Sequence, residues 1–457
     1  MRNLLEKQLK KREYEQITAS LLSENIDEFR QLFLDLHPYD QAKFYVEQEQ
    51  DIRLRMYHYL SPKEMASIFE QLKIEDEKYK IYLQEMDPTF AAQMLSYMYT
   101  DDAVDILNEL DKSDVANYLT IMGDEAAKEI KDLLHYKEYT AGSIMTTEYI
   151  AIHANETVQS AMQILKREAL HAETIYYLYV IDEDKRLVGV LSLRDLLVSN
   201  DDTMICDIMN ERVVFVLVDD DQEEVAHKMS DYDLLAIPVV DSSKHLLGII
   251  TVDDIVDVIE EEASDDYSKL AGVTNMDSID KNPFSAAKKR LPWLVILLFL
   301  GMMTASLIGR FEKTIEKVSI LAVFIPLIAG MSGNTGTQAL AVAVRSLAMG
   351  DFEQEGKWKL IVREAGTGLI TGTTCGALIT LIVYLWKHDL FLGLLVGFSL
   401  LATLTVATVA GALVPLIMYR LKVDPAVASG PFITTINDII SILIYFGLAT
   451  IFMNYLL

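Results

Sequence analysis

The sequence predicts a multidomain chain: an all-α N-terminal superhelical domain, a tandem α/β pair, a connecting helix and a five-helix α transmembrane domain. Three observations predict it. Charge is split along the chain: 9 acidic and 10 basic residues follow position 290, so residues 1–290 hold the other 59 acidic and 30 basic residues of a chain with net charge −28. An internal repeat recurs at a 59-residue offset, with Gly189 matching Gly248 and Asp195 matching Asp254. Five apolar runs, about 291–309, 318–345, 361–386, 391–419 and 428–455, are each long enough to cross a bilayer. The boundaries expected are 1–137, 138–203, 204–263, 264–287 and 288–457.

The acidic first part argues against nucleic acid as a partner and suits cations. Cys206 and Cys375 are the only cysteines, which excludes a disulfide framework or a cysteine zinc site. The N-terminus, Met1-Arg2-Asn3-Leu4-Leu5-Glu6, lacks the apolar core of a signal peptide. Residues 1–290 are therefore expected in the cytoplasm.

Residues 1–137 read as short amphipathic helices. Each is introduced by a turn: Ser61-Pro62-Lys63-Glu64, Asp87-Pro88, Thr100-Asp101-Asp102, Lys112-Ser113-Asp114 and Gly123-Asp124. Capping residues followed by apolar positions such as Val104, Ile106, Leu107 and Leu110 carry the reading. Helices so short cannot bury a face alone, so they must stack. Asp101 and Asp105, spaced i, i+4, are expected on one helix face.

Each copy of the repeat reads strand, turn, strand, helix: Tyr177–Asp182 and Leu187–Leu197, then Ala236–Asp241 and Leu247–Val256. Ile144-Met145-Thr146 and Ile208-Met209-Asn210 precede the two copies. The pattern resembles a tandem pair of CBS domains. That resemblance implies a regulatory module that binds ions or a nucleotide such as ATP and performs no chemistry.

The second copy ends in an acidic run: Asp253, Asp254, Asp257, Glu260, Glu261, Glu262, Asp265 and Asp266. Like charges at i, i+3 and i+4 destabilise a helix by a few tenths of a kcal/mol each. Lys269 is the first basic residue nearby. A hard divalent cation suits such carboxylates, and Asp219, Asp220, Asp221, Asp231 and Asp233 add more. A solvated helix face is the alternative. Residues 264–290 continue as a polar connector into Lys288-Lys289-Arg290, a basic triplet that fits the cytoplasmic side of a membrane.

An odd number of spans places the C-terminus outside. The second span is expected to be irregular: Pro326 precedes Gly330-Met331-Ser332-Gly333-Asn334-Thr335-Gly336-Thr337-Gln338 at mid-membrane depth. Small-residue packing and an unwound, polar pore lining both fit. Gly366, Gly368, Gly372 and Gly376 of span three read as packing positions. Span five carries Asp438 inside an apolar helix. A charge at that depth costs at least about 2.5–3.5 kcal/mol and normally faces water, a partner or a passing ion.

The order of these parts, with Pro326–Ala339 in span two and Asp424-Pro425-Ala426, Pro431 and Asn437-Asp438 near span five, resembles the MgtE-type magnesium channels along essentially the whole chain. The resemblance implies a homodimer in the cell membrane with Mg2+ as substrate. Its pore would be lined by spans two and five, with Asp438, Asn334, Gly333 and Asn437 at the ion path. It also implies a gate closed by regulatory Mg2+ on Asp101, Asp105, the Gly142 carbonyl, Asp221, Asp233, Asp254, Asp257, Glu262, Asp265, Asp266 and Asp424. A CBS-regulated anion channel is disfavoured by the membrane carboxylate. A scaffold would need an internal partner for Asp438. An enzyme would need a nucleophile–base constellation or P-loop, and none stands out.

Overall fold

The turns picked out in residues 1–137 each open a helix in the computed structural model, which describes residues 2–72, 76–273, 283–348 and 357–456. Among the described residues, ten helices run from α1 (Arg2–Leu22) to α10 (Asp124–Leu133). Helix α5 (Pro62–Phe69) starts with a capping box: Ser61 Oγ accepts from the Glu64 backbone N–H while the Glu64 carboxylate accepts from the Ser61 N–H. Helix α7 (Pro88–Leu95) is capped by Asp87 with proline at the first position. The helices bury a shared core including Phe29, Phe33, Phe44, Tyr45, Met65 and Phe69. Inside it Arg53 pairs with Glu85 at 2.6 Å, and Glu85 also accepts from the Tyr57 hydroxyl at 3.1 Å.

Each repeat copy forms a three-stranded sheet. Strands β1 (Ala151–His153), β2 (Tyr177–Ile181) and β3 (Leu187–Ser192) lie in that order, and so do β4 (Val216–Leu217), β5 (Ala236–Val240) and β6 (Leu246–Thr251). In both sheets the first pair is parallel and the second antiparallel. The segment ahead of each copy pairs with the other copy. Thr146 exchanges backbone hydrogen bonds with Ile249 of β6 at 2.8 and 3.0 Å, and Asn210 exchanges them with Val190 of β3 at 2.9 and 3.0 Å. This exchange accounts for the repeated glycines. An ideal Cβ at Gly189 would lie 2.5 Å from Met209 Sδ, and one at Gly248 would lie 2.5 Å from the Thr146 carbonyl oxygen.

The chain divides into two compact units, 1–260 and 261–457. The division falls within one continuous helix, α15 (Val252–Ala271). Thus no helix end marks the boundary expected at 263/264. Of the connecting segment 264–287, residues 274–282 lie outside the described residues.

Among the described residues, five helices are long and apolar enough to cross a membrane: span one (Pro283–Arg310), span two (Ser319–Leu347), span three (Trp358–Lys387), span four (Leu390–Arg420) and span five (Gly430–Ile451). The basic triplet 288–290 lies inside the first of these helices. The irregular backbone expected in span two is absent. After a 3-10 turn (Ser319–Phe324), Ile325–Ala348 is continuous α-helix through the whole Gly/Ser/Asn/Thr stretch. The reason is packing: the small residues admit spans four and five closely rather than unwinding the backbone. Spans three and four meet in the same way, with Gly368 against Thr408, Gly372 against Leu401 and Gly376 against Gly397. Gly366 faces open space instead.

Candidate metal centre and membrane carboxylate

Asp254 occupies a repeat position whose first duty is helix capping. In copy one, Ser192 Oγ accepts from the Asp195 N–H and donates to its carboxylate at 2.6 Å. In copy two, Thr251 Oγ1 donates to Asp254 Oδ2 at 2.6 Å. The second cap is more crowded, because Asp253 Oδ1 at 2.6 Å and Glu173 Oε1 at 3.0 Å approach the same hydroxyl. One hydroxyl has one proton, so it can satisfy only one of these oxygens at a time.

The N-terminal helices add to the crowd. Asp101, at the start of α8 (Thr100–Asn108), is buried at 7% exposure. Oxygens of Asp101, Glu173 and Asp254 all lie within 4.8 Å of one another. Asp101 Oδ1 and Glu173 Oε2 are buried with no hydrogen-bond partner among the described residues. Burial, then Asp102, Asp254 and Glu173, push the Asp101 carboxyl well above the usual range. Burial, then Glu70 and Asp254, push Asp102 to about 8. Burial and Asp254 push Glu173 to about 8, and burial pushes Asp254 to about 6. Clustered carboxylates with orphaned, buried oxygens fit a hard divalent cation.

Asp101 and Asp105 part company here: Asp101 is buried and Asp105 exposed. Neither Asp102 nor Glu173 is marked as a site residue by its sequence pattern. Glu173 had one signal: position 232, its counterpart in copy two at the 59-residue offset, is tyrosine.

The remaining carboxylates sit elsewhere. Asp221 caps α14 (Gln222–Asp231), accepting from the Glu223 N–H at 2.9 Å. It lies in the short backbone pairing that also holds Gly142, whose N–H donates to Val218 O at 2.9 Å. Asp233 is exposed at positive φ, in the turn before β5. Asp257 is exposed and Glu262 half-buried along α15.

At the end of α15, Lys269 bridges Asp265 and Asp424. Burial lowers the Lys269 ammonium, but hydrogen bonds to the two carboxylates outweigh it and its pKa is raised. Burial and Asp424 push the neighbouring Asp266 to about 6. Asp424 also caps the 3-10 turn ahead of span five, accepting from the Ala426 N–H at 2.8 Å. Leu270 packs beside it against Leu340, Ala426, Ala428 and Ile433.

In the membrane unit, Asp438 is half-buried, and no described side chain pairs with its carboxylate. Asn334 is exposed and Gly333 buried against Thr434. Asn437 is fully buried. Ser332 donates to the Asn437 carbonyl at 3.2 Å, and the Thr337 and Thr434 hydroxyls meet at 3.4 Å, so spans two and five are joined by polar contacts.

Three family matches cover these parts: an MgtE intracellular N domain over residues 36–139, CBS domains over 141–199 and 205–261, and MgtE, a divalent cation transporter, over 325–448. The chain is 54% identical to the magnesium transporter MgtE of Enterococcus faecalis, over 96% of this chain and 97% of that one. It is 40% identical to the protein of the same name from Bacillus subtilis, over 94% and 95%. Among solved structures, the soluble part of a magnesium transporter matches with a TM-score of 0.55 at 54% identity, covering 56% of this chain and 99% of that one. The cytosolic domain of the Mg2+ channel MgtE in complex with ATP matches with a TM-score of 0.51 at 36% identity, covering 54% and 99%. On this span of identity and on all three domains, the chain belongs to the MgtE family of divalent cation transporters.

Proposed function

We propose that the protein is a homodimeric Mg2+ channel that carries magnesium into the cell and closes when internal Mg2+ rises. The observation that carries the conduction half is Asp438: a carboxylate in an apolar span, half-buried and without a pairing side chain among the described residues. Its cost in the membrane has a use if a cation passes it. Mg2+ sheds water reluctantly, so a carboxylate acting through the ion's water shell, aided by Asn334, is physically sensible. The N-terminus would lie in the cytoplasm and the C-terminus outside, as the basic triplet in the first turns of span one favours.

For the gate, Asp101, Glu173 and Asp254 would hold a divalent cation, which supplies the positive charge their burial demands. Asp257, Glu262, Asp265, Asp266 and Asp424, with Asp105, Asp221, Asp233 and the Gly142 carbonyl, complete the acidic set. Left to themselves, these carboxylates repel and favour separation of the elements that bear them. A ligand shifts such an equilibrium only by its differential affinity for the compact state.

The ATP-bound relative supports a nucleotide at the CBS pair as an added regulatory ligand, and equilibrium binding of ATP to the full chain tests it. The central test is flux. In reconstituted vesicles, Asp438→Ala should abolish Mg2+ uptake while the protein keeps its oligomeric state and thermal midpoint. Wild-type flux in that variant would sink the pore assignment.

A further inference from the structure

Asn437 is 0% exposed on span five, and neither its amide oxygen nor its amide nitrogen meets a partner among the described residues. Span two opens a notch for it, since an ideal Cβ on Gly336 would fall 1.8 Å from Asn437 Nδ2. Span four closes the far side, because an ideal Cβ on Gly411 would fall 2.4 Å from the Gly336 carbonyl oxygen. Gly336 is therefore held between two helices and cannot retreat from the amide. The backbone of Asn437 is held too, by the Ser332 hydroxyl at 3.2 Å. One turn away the register repeats, with an ideal Cβ on Gly333 only 2.6 Å from Thr434 Cγ2.

A buried amide without a partner is costly, so apolar filling alone does not explain it. Its short planar shape fits a notch that only glycine leaves open. Successive residues on a helix project about 100° apart, so seating one residue sets the direction of the next. We propose that Asn437 is a positioning residue: lodged against Gly336, it sets the rotation of span five and so aims the Asp438 carboxylate. It does not itself ligate the ion. The inference rests on the reading of Asp438 as a pore residue.

The test uses the full chain in vesicles, with maximal Mg2+ flux and half-saturating Mg2+ measured separately. Gly336→Ala forces a methyl onto the amide and should lower flux about tenfold and shift half-saturation. Asn437→Ala should shift both in the same sense. The double variant, in which the added methyl takes the vacated space, should return within about threefold of wild type on both readouts. A double variant no better than Asn437→Ala overturns the proposal and makes Asn437 an ion-contacting group. Single variants equal to wild type overturn it as well. Should Asn437→Ala fail to fold, Gly336→Ala and Gly336→Ala/Asn437→Ser carry the same comparison. Asp438→Ala runs alongside: if it retains flux, the pore reading fails, and if only the Gly336 and Asn437 variants are silent, the positioning role alone fails.

Discussion

Around Thr251 one hydroxyl proton meets three carboxylate oxygens, and Asp101 brings a fourth acid within 4.8 Å of two of those groups. The pKa shifts there have a definite sign. Asp102 and Glu173 sit at about 8 and Asp254 at about 6, above the ordinary carboxylate range. A raised folded-state value means the folded chain binds these protons more tightly than the unfolded chain. Their contribution is fully present below the unfolded values near about 4 and is lost as pH rises through the folded ones. Each group sets a slope of up to about 1.4 kcal/mol per pH unit across its window. Thermal midpoints of the metal-free full chain should therefore fall between pH 5 and pH 8.5, read by intrinsic fluorescence. Saturating Mg2+ should flatten the curve, and Glu173→Gln should reduce its slope. A midpoint level across that range with chelator present would remove the electrostatic basis of this centre.

At the scale of elements, the repeat shows how equivalent positions acquire unequal duties. Gly189 and Gly248 are matched in sequence, yet their neighbours differ in kind. A methyl at Gly189 presses on the flexible end of Met209, whereas one at Gly248 presses on the backbone oxygen of Thr146. Met side chains adapt and a strand-paired carbonyl does not. Gly248→Ala should thus cost about 1–3 kcal/mol, the usual range for overpacking, and Gly189→Ala clearly less. Denaturant unfolding of the two variants side by side checks the order. Asp195 and Asp254 are a second such pair, since each accepts the hydroxyl of the residue three positions earlier and only Asp254 joins Asp101 and Glu173. Lys269 belongs to this scale also. The sequence offered it only as the first basic residue after the acidic run, and folding seats it between Asp265 and Asp424.

For the whole molecule, the proposed feedback requires many weak carboxylate sites to bias one equilibrium. Removing part of the set should raise the internal Mg2+ needed for closure, with every 1.4 kcal/mol of lost coupling worth about tenfold. Neutralising Asp254, Asp257 and Glu262 together should leave the channel open at internal Mg2+ that closes the wild type. Flux from vesicles loaded with graded Mg2+ measures this, and unchanged closure would move the sensor elsewhere.

Sequence alone determined the class of the N-terminal helices, the two α/β copies and the five spans, because each signal was local or periodic. Capping turns marked helix starts, the 59-residue echo marked two equivalent α/β copies, and apolar runs marked five spans. Asp438 stood out for the same reason, as a charge is conspicuous in an apolar helix. Tertiary structure alone decided what depends on neighbours distant in sequence. It joined Glu173 to Asp101 and Asp254, separated Asp105 from Asp101 by burial, and kept span two helical where glycine composition suggested a break. Glycine permits unwinding and close packing alike, and only the helices pressed against Gly336 select between them.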